Sequence, residues 1–113
     1  MWVEKNIIFK GNFTGNDASE KTSVQWPGVV PPFAAFLKVS ALGAGTALVM
    51  KIQHSPDNGV IWLDLVTFAS KNAIGTEMIS VSGGFFPTLR VLPAFTGGTT
   101  TATVEISLHG GVR

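Results

Sequence analysis

The 113-residue chain contains no cysteine, so disulfides and thiolate metal ligands are excluded. Charge is also scarce. Only 13% of the residues are charged, against about 25% in ordinary soluble domains, and the formal net charge is +1. The few Lys and Arg residues are scattered rather than clustered, so the sequence lacks the basic patch of a nucleic-acid-binding protein. We therefore expect no nucleic-acid partner.

Long hydrophobic runs are missing as well. The longest, Val29 to Leu37, is too short to span a bilayer and contains Pro31 and Pro32, so we expect no membrane partner. The opening MWVEKNIIFKGNF has no basic segment followed by an apolar one, so we expect no signal peptide and synthesis in a cytoplasm. The low charge suggests that another subunit covers part of the surface, because interface cores are depleted in Lys, Glu and Asp.

Short runs of β-branched and aromatic residues alternate with clusters of Gly, Pro, Asn and Ser, which is typical of strands and turns. Apolar residues occupy alternate positions in Thr46 to His54 and in Thr100 to His109, which predicts strands with one buried face. Val60 to Phe68 is apolar on both sides and predicts a strand covered on both faces. The other predicted strands are Asn6–Thr14, Thr22–Trp26, Phe36–Leu42, Thr76–Val81 and Thr88–Phe95.

About eight strands without room for crossover helices predict one all-β domain over residues 1–113. The economical arrangement is an antiparallel β-sandwich with either jelly-roll or immunoglobulin-like topology, which strand spacing does not separate. Residues 1–13 are expected to form an N-terminal arm or an edge strand.

The segment Ser55 to Trp62, SPDNGVIW, joins two clear strands and predicts a hairpin turn. Pro56 presets a backbone angle, Asp57 can bond to local amides, and Gly59 tolerates positive φ. The pattern Ser-x-Asp-x-Gly-x-x-Trp resembles the Asp-box of sialidases, a hairpin motif whose Trp anchors it in the core. By that resemblance Ser55, Asp57, Gly59 and Trp62 stabilise the turn, and we expect Trp62 to be buried.

Catalytic and metal-binding patterns are not apparent. His54 precedes the turn, but the chain has only two histidines and they lack ligand spacing. We expect His54 to be structural or solvent-exposed, with its replacement by alanine nearly neutral for stability. No serine lies in a nucleophile context. We therefore expect no catalytic residues, no metal, no cofactor and no enzyme activity.

Two longer stretches carry a wider resemblance, KVSALGAGTALVMKIQHSPDNGVIWLDLVTF and FPTLRVLPAFTGGTTTATVEISLHG. From Phe36 to Gly110 the chain looks like the small β-sandwich proteins that decorate, or cement, the heads of tailed bacteriophages. The resemblance implies a virion structural subunit on the capsid surface, often trimeric, that binds and stabilises the major capsid protein lattice.

The candidate contacts with the lattice or with other subunits lie near the N-terminus and in the Pro-rich stretch, although both segments could equally pack on their own domain. They are Trp2, Val3, Ile7, Phe9, Val29, Val30, Phe33 and Phe36. Two other functions stay open. One is a phage neck, tail or baseplate component, and the other is a carbohydrate-binding module that stacks sugars on Trp2, Trp26 or Trp62.

Overall fold

The computed structural model describes residues 2–15, 24–25, 29–83 and 85–112, which contain eight strands and no helix. Strand lengths follow the runs of β-branched and aromatic residues, and the breaks fall at Gly-, Pro- and Asn-containing turns. The strands are β1 (Trp2–Thr14), β2 (Val24–Gln25), β3 (Val29–Leu42), β4 (Ala47–Ser55), β5 (Leu63–Thr67), β6 (Gly75–Val81), β7 (Thr88–Thr96) and β8 (Thr101–Val112).

The strands form two four-stranded antiparallel sheets. The first sheet has the order β1-β8-β3-β6 and the second has the order β2-β7-β4-β5. The prediction of an all-β antiparallel sandwich is confirmed. Pairing is nested, since β1 pairs with β8, β2 with β7, β3 with β6 and β4 with β5. This is a long hairpin rolled into two layers, which is the jelly-roll alternative and not the immunoglobulin-like one.

The core lies between the two sheets and is built from alternate residues of the strands. In β8, Ala102, Val104, Ile106 and Leu108 are all at most 2% exposed. The inner positions of β3, β4 and β7 contribute the other large part of the same apolar cluster. Because the sheets bury one face each, the opposite faces remain outside and carry the side chains considered below.

β1 and β3 begin earlier than the apolar pattern predicts, at Trp2 and Val29. In β3 the register against β8 shifts between Val30 and Phe33. Pro31 and Pro32 fall inside this shift, where a missing N–H removes no ladder hydrogen bond. Of the predicted strand over residues 22–26, the structure describes only the pair in β2, and the rest lies outside the described residues.

The prediction that the strand over residues 60–68 is covered on both faces is wrong. β5 is short and lies at the edge of the second sheet. Val66 and Phe68 point into the core, but Ile61 and Leu63 are 53% and 46% exposed. A sandwich supplies only one apolar layer to each sheet, so the second apolar side of this segment stays largely exposed, with only Leu65 of that side partly buried against the core.

The turn between β4 and β5 lies at the tip of the rolled hairpin. Strand register places Ser55 opposite Thr88, and Leu63 opposite His54, so this tip and residues 85–87, which precede β7, share one end of the sandwich. The backbones of Trp2 and Val112 pair with each other at the end of the first sheet where β6 also stops. One end therefore gathers the tip turn, residues 85–87 and the paired ends of β1 and β8.

Candidate functional site

The turn over residues 55–62 is held by side-chain hydrogen bonds to its own backbone. The Oγ of Ser55 accepts hydrogen bonds from the amides of Asp57 and Gly59, at 3.3 and 2.8 Å, and donates one to Oδ1 of Asp57 at 2.8 Å. Oδ1 of Asp57 also accepts from the amide of Ile61 at 2.8 Å. These bonds satisfy the amides that a tight reversal leaves without strand partners.

Electrostatics and backbone conformation suit the same turn. The amide of Ile61, and then the hydroxyl of Ser55, hold the pKa of Asp57 below its ordinary value, because both donate to the ionised carboxylate. Asn58 and Gly59 have φ of 57° and 96°, in the left-handed region that Gly and Asn tolerate best. A Cβ on Gly59 would lie 3.2 Å from Cζ2 of Trp62, so glycine also makes room for the indole.

Trp62 is half-buried, so the prediction of a buried core anchor is wrong. The residue precedes β5, and its ring packs against Gly59 and under the guanidinium of Arg90, whose Cζ lies 4.4 Å from the ring centroid. This position is outside the space between the sheets. The indole therefore packs on the outer face of the second sheet, and its cation–π contact with Arg90 replaces the apolar surroundings expected from the sialidase motif.

A chain of polar contacts continues from Trp62 across this outer face. Nε of Arg90 donates to Oε1 of Gln53 at 2.8 Å, and Nε2 of Gln53 donates to Oδ1 of Asp64 at 2.8 Å. Nζ of Lys51 reaches Oδ2 of Asp64 at 3.1 Å. We call Lys51, Gln53, Asp64 and Arg90 the polar row.

Two pKa shifts accompany the polar row. Hydrogen bonds from Gln53, and then from Lys51, lower the pKa of Asp64, while partial burial lowers the pKa of Arg90. The sequence reasoning missed this row because its members come from three strands. The available signal was local: Lys51 and Gln53 alternate with buried Met50 and Ile52, which places both polar side chains on the outer face.

His54 points inward at the end of β4 and is 8% exposed. Its Nδ1 accepts a hydrogen bond from the amide of Phe86 at 3.0 Å, and the two rings lie 5.1 Å apart. Burial lowers the pKa of His54, so the neutral imidazole is favoured. In contrast to the expectation from the sequence, we expect His54→Ala to lower stability, because this change would remove a buried side chain and leave the amide of Phe86 without its acceptor.

One serine and one histidine approach each other on the outer face of the first sheet. Oγ of Ser107 lies 2.8 Å from Nε2 of His109, and Phe36 contacts the His109 ring edge-to-face at 5.8 Å. Ser107 is fully buried at 0% exposure, so its hydroxyl is covered from solvent in this conformation. The pair satisfies a buried hydroxyl. Within the described residues, no group of three His, Asp or Glu side chains is placed to hold a metal ion.

The candidate contact residues fall into different environments. Ile7 is 49% exposed and Phe36 is half-buried, both on the outer face of the first sheet. Phe9 packs against the core and stacks on Phe13 at 4.6 Å. Phe33 is only 3% exposed, opposite Val81 in the ladder, so its place as a contact residue is corrected: after the β3 shift it points into the core.

The remaining candidates can be placed by backbone alone. Trp2 and Val3 lie in β1, and Val29 and Val30 begin β3, but their side chains are outside the described residues. Trp26 is also outside them. Residues 2–14 pair with β8 along their length, so this segment is an edge strand of the first sheet.

Exposed apolar side chains line up across that outer face. Ile7, Ser107, Phe36 and Met78 are successive ladder partners on β1, β8, β3 and β6. Met78 is 64% exposed. We call Ile7, Phe36 and Met78 the apolar row. Sequence reasoning did not single out Met78, although its alternation with Ile79 in β6 could have placed it outside.

The neighbouring positions on the first sheet are charged. Lys10, Glu105 and Lys38 are also ladder partners on β1, β8 and β3, with Nζ of Lys10 3.9 Å from Oε1 of Glu105. The apolar row thus has a charged border on this side.

A second group of exposed apolar side chains lies at the tip. Val60 is 80% exposed, and Ile61, Leu63 and Phe86 are 53%, 46% and 39% exposed.

At the opposite end, an open cleft of about 310 Å³ lies beside β1, β3 and β8. Thr103 donates a hydrogen bond to Asn12 at 2.6 Å in its wall. Its lining residues are Asn12, Phe13, Thr14, Ala41, Leu42, Gly43, Thr101, Ala102 and Thr103.

In the described part of the chain, no helix is long and apolar enough to cross a membrane. Comparison with known proteins finds no family model and no curated protein that matches this chain.

Proposed function

We propose that this chain is a virion structural protein that decorates the outside of a tailed-phage head. In this role it self-associates, as a trimer, and binds the major capsid protein. The resemblance of residues 36–110 to head decoration proteins supports the virion role. The jelly-roll order is compatible with it, since viral capsid proteins and lectins both use this fold, but a fold alone does not decide between functions.

The apolar row is the observation that carries the proposal. Ile7 and Met78 are 49% and 64% exposed and stand in line with Phe36 on three of the four strands of one sheet, with the buried Ser107 of β8 between Ile7 and Phe36. Single exposed apolar side chains are normal, but several that share one face with polar neighbours indicate an interaction surface. Covering them removes apolar surface from water at a gain of about 25 cal/mol per Å².

The border of the apolar row fits the anatomy of a protein interface. Lys10, Glu105 and Lys38 flank the row on one side, and interfaces combine an apolar centre with a polar rim. The scarcity of charge in the whole chain has the same explanation, because a repeating subunit contacts more than one neighbour. Many weak contacts across a capsid then add through multivalency.

Size-exclusion chromatography of the purified protein, with light scattering to measure its mass as it elutes, tests self-association. We expect a mass three times that of one chain. Met78→Glu places a charge in the apolar row and should shift the protein to monomer. Ile74→Glu is the matched control, because Ile74 is 67% exposed but lies outside the row, in the connection between β5 and β6. Equal effects of the two variants would contradict the proposed interface.

Attachment to heads tests the capsid role itself. The protein would be mixed with empty heads assembled from the major capsid protein of the same genome, and the heads would be sedimented. We expect co-sedimentation that saturates at a fixed number of copies per head. A genome that encodes no major capsid protein, or heads that never retain the protein, would contradict decoration even if a trimer forms.

A further inference from the structure

Arg90 carries a positive charge that its described surroundings do not neutralise. Its guanidinium is partly buried over Trp62, at 4.4 Å, and donates from Nε to the neutral amide oxygen of Gln53. Among the residues that the structure describes, no carboxylate forms an ion pair with Arg90, and neither terminal nitrogen has a hydrogen-bond partner. A partly desolvated cation of this kind is stabilised by an anion.

Gln53 explains why the carboxylate of Asp64 does not neutralise Arg90. Asp64, Gln53 and Arg90 are consecutive ladder partners on β5, β4 and β7, so Gln53 stands between the two charges and bonds to both. Asp64 is instead paired with Lys51 at 3.1 Å. As far as the described residues go, the two terminal nitrogens of Arg90 therefore remain available as a planar pair of donors, which matches a carboxylate.

The rest of the polar row offers a mixture of donors and acceptors. The side chains of Lys51 and Asp64 are 32% and 48% exposed, and each keeps hydrogen-bonding capacity after their mutual contact. Adjacent strands lie about 4.8 Å apart, so the row extends roughly 10 Å from Asp64 to Arg90. Such a span, with alternating donors and acceptors beside an indole, suits the hydroxyl groups of a short saccharide.

We propose that the polar row binds an acidic saccharide, whose carboxylate pairs with the terminal nitrogens of Arg90 and whose hydroxyl groups bond to Asp64 and Lys51. Trp62 and Gln53 act as positioning residues. Trp62 packs against the face of the guanidinium, and Gln53 accepts the hydrogen bond from its Nε. This inference goes beyond the decoration role, because the polar row and the apolar row lie on the outer faces of different sheets.

A saccharide fits this row better than an acidic peptide does. Asp64 stands in the same row as Arg90, and its carboxylate would repel a second acidic side chain bound next to the first. A sugar hydroxyl donates to that carboxylate instead. One carboxylate followed by several hydroxyl groups is the chemistry that matches Arg90 followed by Asp64 and Lys51.

Calorimetric titration of the full chain tests the proposal with four probes. They are 3′-sialyllactose and trigalacturonate, and their uncharged counterparts lactose and galactotriose. We expect at least one acidic probe to bind, and to bind about tenfold or more tightly than its uncharged counterpart. Arg90→Gln should weaken that binding by about tenfold or more, since a charge-assisted bidentate pair is lost.

Two further variants separate recognition from folding. Arg90→Lys keeps the charge but loses the planar pair of donors and the stacking on Trp62, so we expect most of the affinity to be lost while the protein stays folded. Lys38→Gln removes the same charge from the outer face of the first sheet and should bind like the parent protein. The light-scattering mass should be unchanged in the two Arg90 variants, which separates this site from the proposed capsid role.

Three results would overturn the inference. The first is the absence of binding by both acidic probes. The second is equal binding of acidic and uncharged probes. The third is tighter binding of a hexaglutamate peptide than of either saccharide, which would assign the row to acidic protein segments.

Discussion

The amide of Phe86 donates a hydrogen bond to Nδ1 of His54 across 3.0 Å. The two residues are far apart in sequence, and the bond ties Phe86, which lies just before β7, to the end of β4. Since Nδ1 is the acceptor, the bond requires that this nitrogen carry no proton. Protonation of His54 therefore breaks this hydrogen bond.

Stability should fall as the pH drops below the ordinary histidine pKa of 6.5. Burial lowers the pKa of His54 in the folded protein, so the unfolded chain takes up the proton first. The contribution is complete above about pH 6.5 and is lost progressively down to the pKa of the folded state. Urea unfolding at about pH 7.5 and at about pH 5 measures this contribution. We expect the free energy of unfolding to be smaller at the lower pH.

His54→Asn is the matched control for that pH dependence. Its Oδ1 can replace Nδ1 as the acceptor for the amide of Phe86, but the side chain does not titrate. We expect a smaller difference in unfolding free energy between the two pH values in this variant. An identical difference in the parent protein and in His54→Asn would show that other groups cause the pH dependence.

Ser55→Ala should lower the free energy of unfolding by about 1 to 3 kcal/mol. The change leaves the amides of Asp57 and Gly59 without the Oγ acceptor, at a position only 1% exposed. Urea unfolding gives the value. Ser82→Ala is the control at an exposed serine and should be nearly neutral. Equal effects of the two changes would mean that the hydroxyl of Ser55 does not hold the turn.

Trp62→Ala should lower the free energy of unfolding by about 2 kcal/mol. Only part of the indole surface is buried, and the change also removes its contact with Arg90. A fully buried core anchor would cost about 3 to 5 kcal/mol. Trp62→Phe keeps an aromatic ring under Arg90 and should recover part of the loss. A loss in the range of a core anchor would contradict the half-buried position of the indole.

Gly43→Ala should destabilise the protein by about 3 kcal/mol, through a direct clash. A Cβ at this position would lie 1.9 Å from the carbonyl oxygen of Thr99, on the facing turn. Gly83→Ala is the control, since its Cβ would meet nothing within 4 Å. Thermal unfolding of the two variants gives the comparison. Similar melting temperatures in the two variants would show that the turns containing Gly43 and Thr99 can move apart without loss of stability.

Local patterns predicted most of the strands, because a half-buried strand alternates in the sequence itself. The alternation in β8 and β4 placed Val104, Ile106, Met50 and Ile52 correctly in the core. The choice between jelly roll and immunoglobulin topology could not be made in this way, since it depends on which strands become neighbours. The beginning of β3 was missed because Pro31 and Pro32 read as an interruption, whereas a register shift accommodates them.

The candidate sites also differ in whether their contacts are local in the sequence or join different strands. The roles of Ser55 and Asp57 in the turn follow from residues within a few positions of each other. The contacts of Arg90 with Gln53 and Trp62 join different strands, so no local pattern contains them. The exposure of Trp62 was predicted wrongly for this reason: burial depends on what covers a side chain, and here the cover is a guanidinium on another strand.

The nested pairing of the strands has a consequence for the order of folding. β4 and β5 join across a short turn, whereas β1 and β8 join residues from opposite ends of the chain. Closing the longer loops costs more entropy before any contact repays it. We therefore expect the rolled hairpin to close from its tip outward, with β1 added last. Ile7 lies on that last strand, so we expect the surface proposed to meet a neighbouring subunit to be complete only when folding ends, and partly folded chains to be excluded from the proposed assembly.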